Sequence, residues 1–572
     1  MIKPDYLTVD ELLSKRLFRI PDYQRAYSWK RNQRLDLFND IKKLKQRTDP
    51  DRSHFLATIV LMKTNDREEV GPDEFQIYDI VDGQQRLTTI VILLKAITKL
   101  LQVGDDDQRR YGGDLQSLLV KRENRRLILL QTNHESSHEF RRYLEDGTIP
   151  STDDLNTTGQ KNLADAFKEC ELFAQEWREG ATDLLRLIKN KLAFVNYVLD
   201  DQISAYTIFE VLNSRGLPVD SLDKCKSMLM ALAYERIEEN QRQDFTREIH
   251  QLWTSLYREI GVDEVSGNEI LRFSAALLST EPQGKVMSDE EALTAIRQTC
   301  ENDTSQIIAT VTEFVKIAKI IKSIKEKPTL DAVVSNRQSR FLYTAINAAI
   351  HLNDREKNSI LEIWEKVTFL IYGIFRRDTR YEVGALVKLG WRIVNESLSV
   401  DQVISALKKI GAGYIDDRRS IASELGNIDC YNQWTEQLRY FLYKYEAYLA
   451  EQAGYSLPQE TWEMIWSVSP SKSIEHILPQ NTEADGWSGV FGNKEEAQQW
   501  LHRLGNLLIV TPNVNSKLSD HTFGIKKEIY TEECSHFRLI REVSGLDEWN
   551  PQLLEERELR MLEWAENYWK VC

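Results

Sequence analysis

The 572-residue chain has little glycine (25) and little proline (13), and none of its six cysteines falls in a CxxC pair. Sparse helix breakers favour a mostly helical fold with some sheet. Cys170, Cys225, Cys300, Cys430, Cys534 and Cys572 lie far apart, which argues against a disulfide framework and a cysteine zinc site and suits a reducing cytoplasm. No apolar run reaches a bilayer span, since stretches such as TTIVILLKAI are broken by Thr or Lys, so no membrane partner is expected. MIKPDYLTVDELL carries no apolar signal core,. Positive charge is in deficit, 74 Lys+Arg against 89 Asp+Glu for a net −15, which excludes a protein that coats nucleic acid non-specifically. Residues 1–50 run against this trend with 12 basic and 7 acidic side chains, and residues 471–530 are near neutral with 6 and 7. Charge therefore leaves room for nucleic acid only at a local site.

The length implies two to four domains. FLATIVLMK (55–63) and FQIYDIV (75–81) read as a hairpin around a polar loop, LAFVNYVLDD (192–201) as a further strand, and DDDQRRYGGD (105–114) as a loop,. TVDELLSKRL and RNQRLDLFNDIKKLKQ read as helices, and AYTIFEVLNSRG as a helix stopped at Gly216,. From about 220 to 450 the pattern is almost wholly helical, with breaks near 325–329 and 408–417. Leu438, Phe441, Leu442, Tyr445 and Leu449 form an i, i+3, i+4, i+7 stripe, which reads as core and not as a cofactor box.

VDGQQRLTTI (81–90) stands between the strand FQIYDI and an apolar helix. A glycine turn entering a helix exposes unpaired N–H groups and a positive dipole end, an anion site. Arg86 adds a planar phosphate donor. Asp82 suits a magnesium ion shared with phosphate oxygens, and Gln84 and Gln85 suit a water, base or ribose. The alternative is that Asp82 caps the helix and Arg86 pairs with a surface acid. There is no GxxxxGK[ST] loop. IPDYQRAYSWK sets Gln24 and Arg25 among aromatic residues, and LNSRGLPVD sets Asn213 and Arg215 beside Gly216. Three segments each offering an arginine with an amide suit a polyanionic ligand; a salt-bridge network is the alternative.

HESSH (134–138) matches the HExxH zinc pattern of His134, Glu135 and His138, but it follows a strand-like RRLILLQTN and has two serines inside. A solvated loop or helix start is the better reading. SIEHILPQN places Glu475 and His476 on a short strand stopped by Pro479; Asn506 follows in LGNLLIV and Asn515 in NVNSKLSD. Carboxylate–His, Asn on a second strand, then Asn on a helix is the order of a ββα-metal (HNH-type) nuclease. In that chemistry Glu475 and Asn515 hold one divalent metal, His476 deprotonates water, Asn506 braces the loop, and Lys517 or Lys526 holds a phosphate. A His-Pro turn with two loop asparagines is the alternative.

These motifs together resemble the GmrSD-like, modification-dependent (type IV) restriction endonucleases of bacterial anti-phage defence. The resemblance runs through IPDYQRAYSW, HFLATIVL, IVDGQQRLTTI and FEVLNSRGLPV, then IEHILPQ and LGNLLIVTPNVNSKLSD. Ala57 stands where the family usually has glycine, and Glu475 where many HNH sites have aspartate. The resemblance implies an α+β, predominantly helical chain in three parts: a ParB-like nucleotide-binding and nucleotide-hydrolysing domain with a small sheet over 1–235, a helical connection over 236–429, and an HNH-type nuclease domain with C-terminal helices over 430–572. It implies a cytoplasmic DNA endonuclease or nickase regulated by ATP or GTP, dependent on Mg²⁺ or Mn²⁺, and directed at modified phage DNA. It assigns Gln24, Arg25, Asp82, Gly83, Gln84, Gln85 and Arg86 to the nucleotide, and Glu475, His476, Asn506 and Asn515 to cutting. A nucleotide-sensing switch whose nuclease site is vestigial or partner-dependent, and an RNA-cutting effector, are the rival readings. The preferred nucleotide, the DNA modification and any homo-oligomer are left open.

Overall fold

A computed structural model describes residues 5–21, 24–45, 54–123, 125–132, 136–199, 221–262, 265–330, 333–334, 336–415, 420–426 and 428–570. Asn213, Arg215, His134, Glu135 and the AYTIFEVLNSRG segment lie outside them. Helices make up 65% of the described residues, and the fold is α+β and mostly helical. The chain divides into two compact units: residues 1–275 with 287–322, and residues 276–286 with 323–572.

The first unit is built on a six-stranded mixed sheet, in order β1 (Asp5–Thr8), β8 (Leu192–Leu199), β3 (His54–Val70), β4 (Asp73–Asp82), β2 (Arg16–Ile20) and β7 (Leu130–Thr132). A small separate ribbon pairs β5 (Val120–Glu123) with β6 (Arg125–Ile128). β3 and β4 are antiparallel, and β2 lies parallel to β4 with Phe18 opposite Tyr78. One face carries the helix Gln84–Gln102, whose Leu87, Ile90, Val91, Leu94 and Ile97 are fully buried with Phe18, Ile59 and Ile80. Burial of this helix on most of its circumference explains why its sequence is apolar nearly throughout.

Two local expectations fail here. The polar stretch 64–74 is not a loop: β3 and β4 continue through it to a turn at Gly71, after a register shift between Lys63 and Arg67. Thr64 donates to the Ile77 carbonyl at 2.9 Å, Gln76 donates to that of Thr64 at 2.8 Å, and Arg67 pairs with Glu74 at 2.7 Å. A ribbon solvated on both faces needs no apolar alternation, so pattern reading misses it. Residues 105–114 are likewise not a loop, because the helix Asp106–Leu119 starts there. Asp105 caps it by accepting from the Gln108 N–H at 2.8 Å, and Gly112 lets it close on Leu101, 3.2 Å from where a Cβ would sit.

In the second unit the helix Thr435–Gln452 buries Leu438, Phe441, Leu442 and Tyr445. Against it pack Trp564 and Trp569 of the terminal helix Pro551–Trp569. The short antiparallel pair β9 (Ile474–His476) and β10 (Leu507–Ile509) sets His476 opposite Leu507 and Glu475 opposite Leu508. Asn515 follows on the helix Pro512–Leu518.

Candidate functional site

At the end of β4 the backbone reverses into the helix Gln84–Gln102 through Gly83, at φ +92°. A Cβ there would stand 3.2 Å from Cγ1 of Ile59 and in a conformation L-residues avoid, so glycine is required,. No side chain caps this helix. Asp82 instead accepts from the Gly83 N–H; its carboxyl is pushed up by burial, against the opposing pull of that bond, Arg86 and Arg25. Arg25 and Arg86 make no ion pair with a described residue, and both are half-buried. The capping and surface-pairing alternatives therefore do not describe this turn.

The glutamines divide. Gln85 is tied to the segment facing it: its Oε1 accepts from Ser28 N at 2.8 Å and its Nε2 donates to the Ala26 carbonyl at 3.1 Å. Gln24 donates to the Val81 carbonyl at 2.7 Å. Both are buried and spend these groups on shaping the turn, Gln85 doing so from the wall of a small cavity. Gln84 is the exception. Its Oε1 is buried without a hydrogen-bond donor, on a small cavity also lined by Arg25, Tyr27, Thr88 and Thr132. An unpaired buried oxygen costs about 1–3 kcal/mol, so its persistence at a cavity points to an incoming donor.

In the second unit Asn506 ends the 3-10 turn just before β10, not on the strand itself. Fully buried, it is a clamp: Oδ1 accepts from Leu478 N at 2.7 Å and from Trp549 Nε1 at 3.2 Å, while Nδ2 donates to the carbonyls of Leu478 and Leu501. His476, on the strand so held, has its Nε2 3.0 Å from Nδ1 of His502. The Tyr431 ring meets His476 edge-on and stacks on His502 at 10° between planes. Burial, helped by His502, pushes the His476 imidazole down to about 3, so the ring is neutral; Asp429 acts weakly the other way.

Glu475 faces elsewhere, because successive strand residues point to opposite sides. Its Oε1 lies 2.6 Å from Lys526 Nζ and 3.4 Å from the Tyr530 hydroxyl. Lys526 is fully buried and donates also to the carbonyls of His476 at 2.7 Å and Ile477 at 3.2 Å. All three ammonium donors are satisfied, which favours a charged pair although burial pushes both groups toward neutrality,. Lys526 is thus no phosphate contact. Lys517 is exposed and bridged to both oxygens of Glu533 at 2.8 Å. Asn515 donates to the carbonyls of Ser471 and Lys472, leaving its Oδ1 unbonded. Glu475 and Asn515, expected as joint metal ligands, share no partner. Among the described residues no group of three or more His, Cys, Asp or Glu could hold a metal ion.

Residues 9–230 match the family "GmrSD restriction endonuclease, N-terminal domain", and residues 415–564 match "GmrSD restriction endonucleases, C-terminal domain". The chain belongs to the GmrSD-like type IV restriction endonucleases. No curated protein matches it.

As a GmrSD-like chain it carries every expected site residue within one of the two matched stretches, while residues 231–414 fall in neither. No helix among the described residues is long and apolar enough to cross a membrane. Family membership makes it a restriction nuclease. The residues that sequence reasoning missed are His502, Tyr431 and Tyr530, together with the pairing of Lys526. The signal for His502 was present: HRLGN puts one of only nine histidines four positions before Asn506. Tyr431 and Tyr530 carried none, being single aromatics in helical text.

Proposed function

We propose that this GmrSD-like chain is a nucleotide-regulated DNA endonuclease or nickase acting on modified phage DNA, with His476 as general base. The observation that supports it most is the neutral, buried His476 ring held against His502 on a clamped strand. A neutral imidazole takes a proton from water as that water attacks phosphorus and the opposite P–O bond breaks. The departing oxygen takes a proton from solvent and His476, whose surroundings favour the neutral ring, returns its own to water, Asp429 easing the transient charge. Asn506 sets the ring's position through the loop it braces.

A divalent ion, Mg²⁺ or Mn²⁺, belongs to the proposal and would stabilise the leaving oxygen when bound. The free Oδ1 of Asn515 fits such an ion, which takes few protein oxygens and the rest from phosphate and water. Glu475 does not fit while it holds Lys526. The same contact is the one observation favouring the rival reading, a nuclease site that waits on a partner or a rearrangement.

In the N-terminal unit the proposal assigns ATP or GTP to the Gly83 turn. Arg25 and Arg86 receive phosphates, Asp82 takes the nucleotide's cation, and Gln84 takes a ligand donor. Gln24, Gly83 and Gln85 build the turn, and the arginine–amide pattern of LNSRGLPVD adds Asn213 and Arg215.

The test incubates modified and unmodified phage DNA, and matched RNA, with the full chain. ATP or GTP is present or absent, with Mg²⁺, Mn²⁺ or EDTA, and triphosphate hydrolysis is read in the same tubes. Nucleotide-dependent, ion-dependent cutting of modified DNA is expected. Triphosphate hydrolysis without any cutting would favour the switch, and cutting confined to RNA would favour the effector.

A further inference from the structure

The helices Val383–Asn395 and Val400–Ala412 enclose a cleft of about 770 Å³, open on one side, in the stretch that neither family domain covers. Among the described residues its wall carries Arg377, Lys388, Arg392 and Lys409 against a single carboxylate, Glu382. That carboxylate is engaged, accepting from the Tyr414 hydroxyl at 3.1 Å. Arg392 keeps one partner, Glu396, at 2.7 Å; Arg377, Lys388 and Lys409 have no ion pair with a described residue. Three unpaired cations facing one concavity in a chain of net charge −15 is an arrangement that repels itself unless an anion enters,.

The rim adds an aromatic surface and strain. Tyr381 is half exposed, with the Arg377 guanidinium 5.9 Å from its ring centre. Arg376 and Glu382 hold positive φ of 46° and 55°, two of five such non-glycine residues among those described. They bracket a loop that follows a π-helical turn, Phe369–Ile374, and that is fastened where Tyr372 donates to the Tyr381 carbonyl at 2.6 Å. Such outliers gather where a ligand is clamped. The π-helical turn before this loop touches the segment beneath the histidine pair: Trp434 donates to the Gly373 carbonyl at 2.8 Å, and the backbone N–H of nearby Cys430 donates to the His502 carbonyl at 3.0 Å.

We propose that this cleft binds a nucleotide, its phosphate on Lys388, Lys409 and Arg377 and its base against Tyr381. Cations serve a phosphate and an exposed ring serves a base, a pairing used by proteins that hold single-stranded nucleic acid. The nucleotide comes either from a DNA strand or from free solution. The inference deepens the DNA-cutting proposal by naming where a strand is held, and binding is measured without cutting.

The experiment uses the full chain in EDTA. Probes are a labelled oligodeoxynucleotide, single-stranded and duplex, followed by anisotropy across a salt series, and dAMP followed by calorimetry. Lys388→Ala/Lys409→Ala is expected to lower the slope of log K against log salt by about 1.4–1.8, the share of two phosphate contacts. Tyr381→Ala is expected to weaken single-strand binding about tenfold without changing that slope. Loss of dAMP binding alone assigns the cleft to a free nucleotide. Unchanged slope and unchanged dAMP binding, in variants that melt at the wild-type temperature, would overturn the proposal. So would binding of poly-glutamate, lost in the lysine variant, when the oligonucleotide is unaffected. A wild-type chain that cuts nothing yet shows the slope change would keep the cleft and defeat the endonuclease reading.

Discussion

The ammonium of Lys526 and the carboxylate of Glu475 meet at 2.6 Å with side chains 0% and 5% exposed, one residue away from the histidine proposed to do the chemistry. Removing one partner of such a pair strands the other. Lys526→Met is therefore expected to cost about 3–5 kcal/mol in urea denaturation, while Lys526→Met/Glu475→Leu recovers most of it. A loss below about 1 kcal/mol in the single variant would mean the pair does not exist in solution.

His476→Ala should lower DNA cutting by about 10²–10⁴-fold, the contribution of a positioned base, and leave triphosphate hydrolysis intact. His502→Ala should reduce cutting less and move its pH profile, because it removes the group packed on the base and not the base. Side-by-side nicking and hydrolysis assays decide; wild-type cutting by His476→Ala ends the assignment.

The two glutamines of the turn should behave oppositely. Gln85→Ala leaves Ser28 N and the Ala26 carbonyl without their partner and should cost about 1–3 kcal/mol of stability,. Gln84→Ala removes a buried oxygen that has no donor and should cost little stability while weakening nucleotide binding. Arg86→Ala and Asp82→Ala should abolish triphosphate hydrolysis without unfolding. Equal melting of the two glutamine variants would refute the division drawn between them.

Burial pushes the Glu446 carboxyl up to about 7, although it accepts from Arg538 N and Leu539 N at 2.8 Å each. The folded state then holds this proton more tightly than the unfolded chain, so stability falls as pH rises from about 4.5 through about 7. Glu446→Gln should flatten that fall by up to about 1.4 kcal/mol per pH unit within the window. Denaturation midpoints at pH 5 and pH 7.5 measure it, and parallel slopes in variant and wild type would rule it out.

The strand–turn–helix around Gly83 was legible because a β pattern ends and a helical one begins within two residues, with the only tolerant residue between them. The short strands carrying His476 and Leu507 were legible from Pro479 and from LGNLLI. What each strand residue faces was not. Glu475 and His476 look interchangeable as site residues in text, and only pairing with β10 sends one to Lys526 and the other to His502. The helix from Asp106 was misread because Gly112 and Gly113 resemble a turn unless the Asp105–Gln108 cap is weighed first. The basic cleft was illegible for a plainer reason: Arg377, Lys388 and Lys409 are spread over three segments.

Gln85 holds Ala26 and Ser28 from the first position but one of a 19-residue helix that is almost entirely enclosed. Arg25 sits immediately before that grip, so a phosphate that draws its guanidinium inward tugs on a lever whose far arm is the helix Gln84–Gln102. Two hydrogen bonds, at 2.8 and 3.1 Å, fix that grip at two adjacent points of the segment. If the proposed nucleotide binds, its loading is transmitted to that helix as displacement, and the core beneath the sheet is the element that would register it.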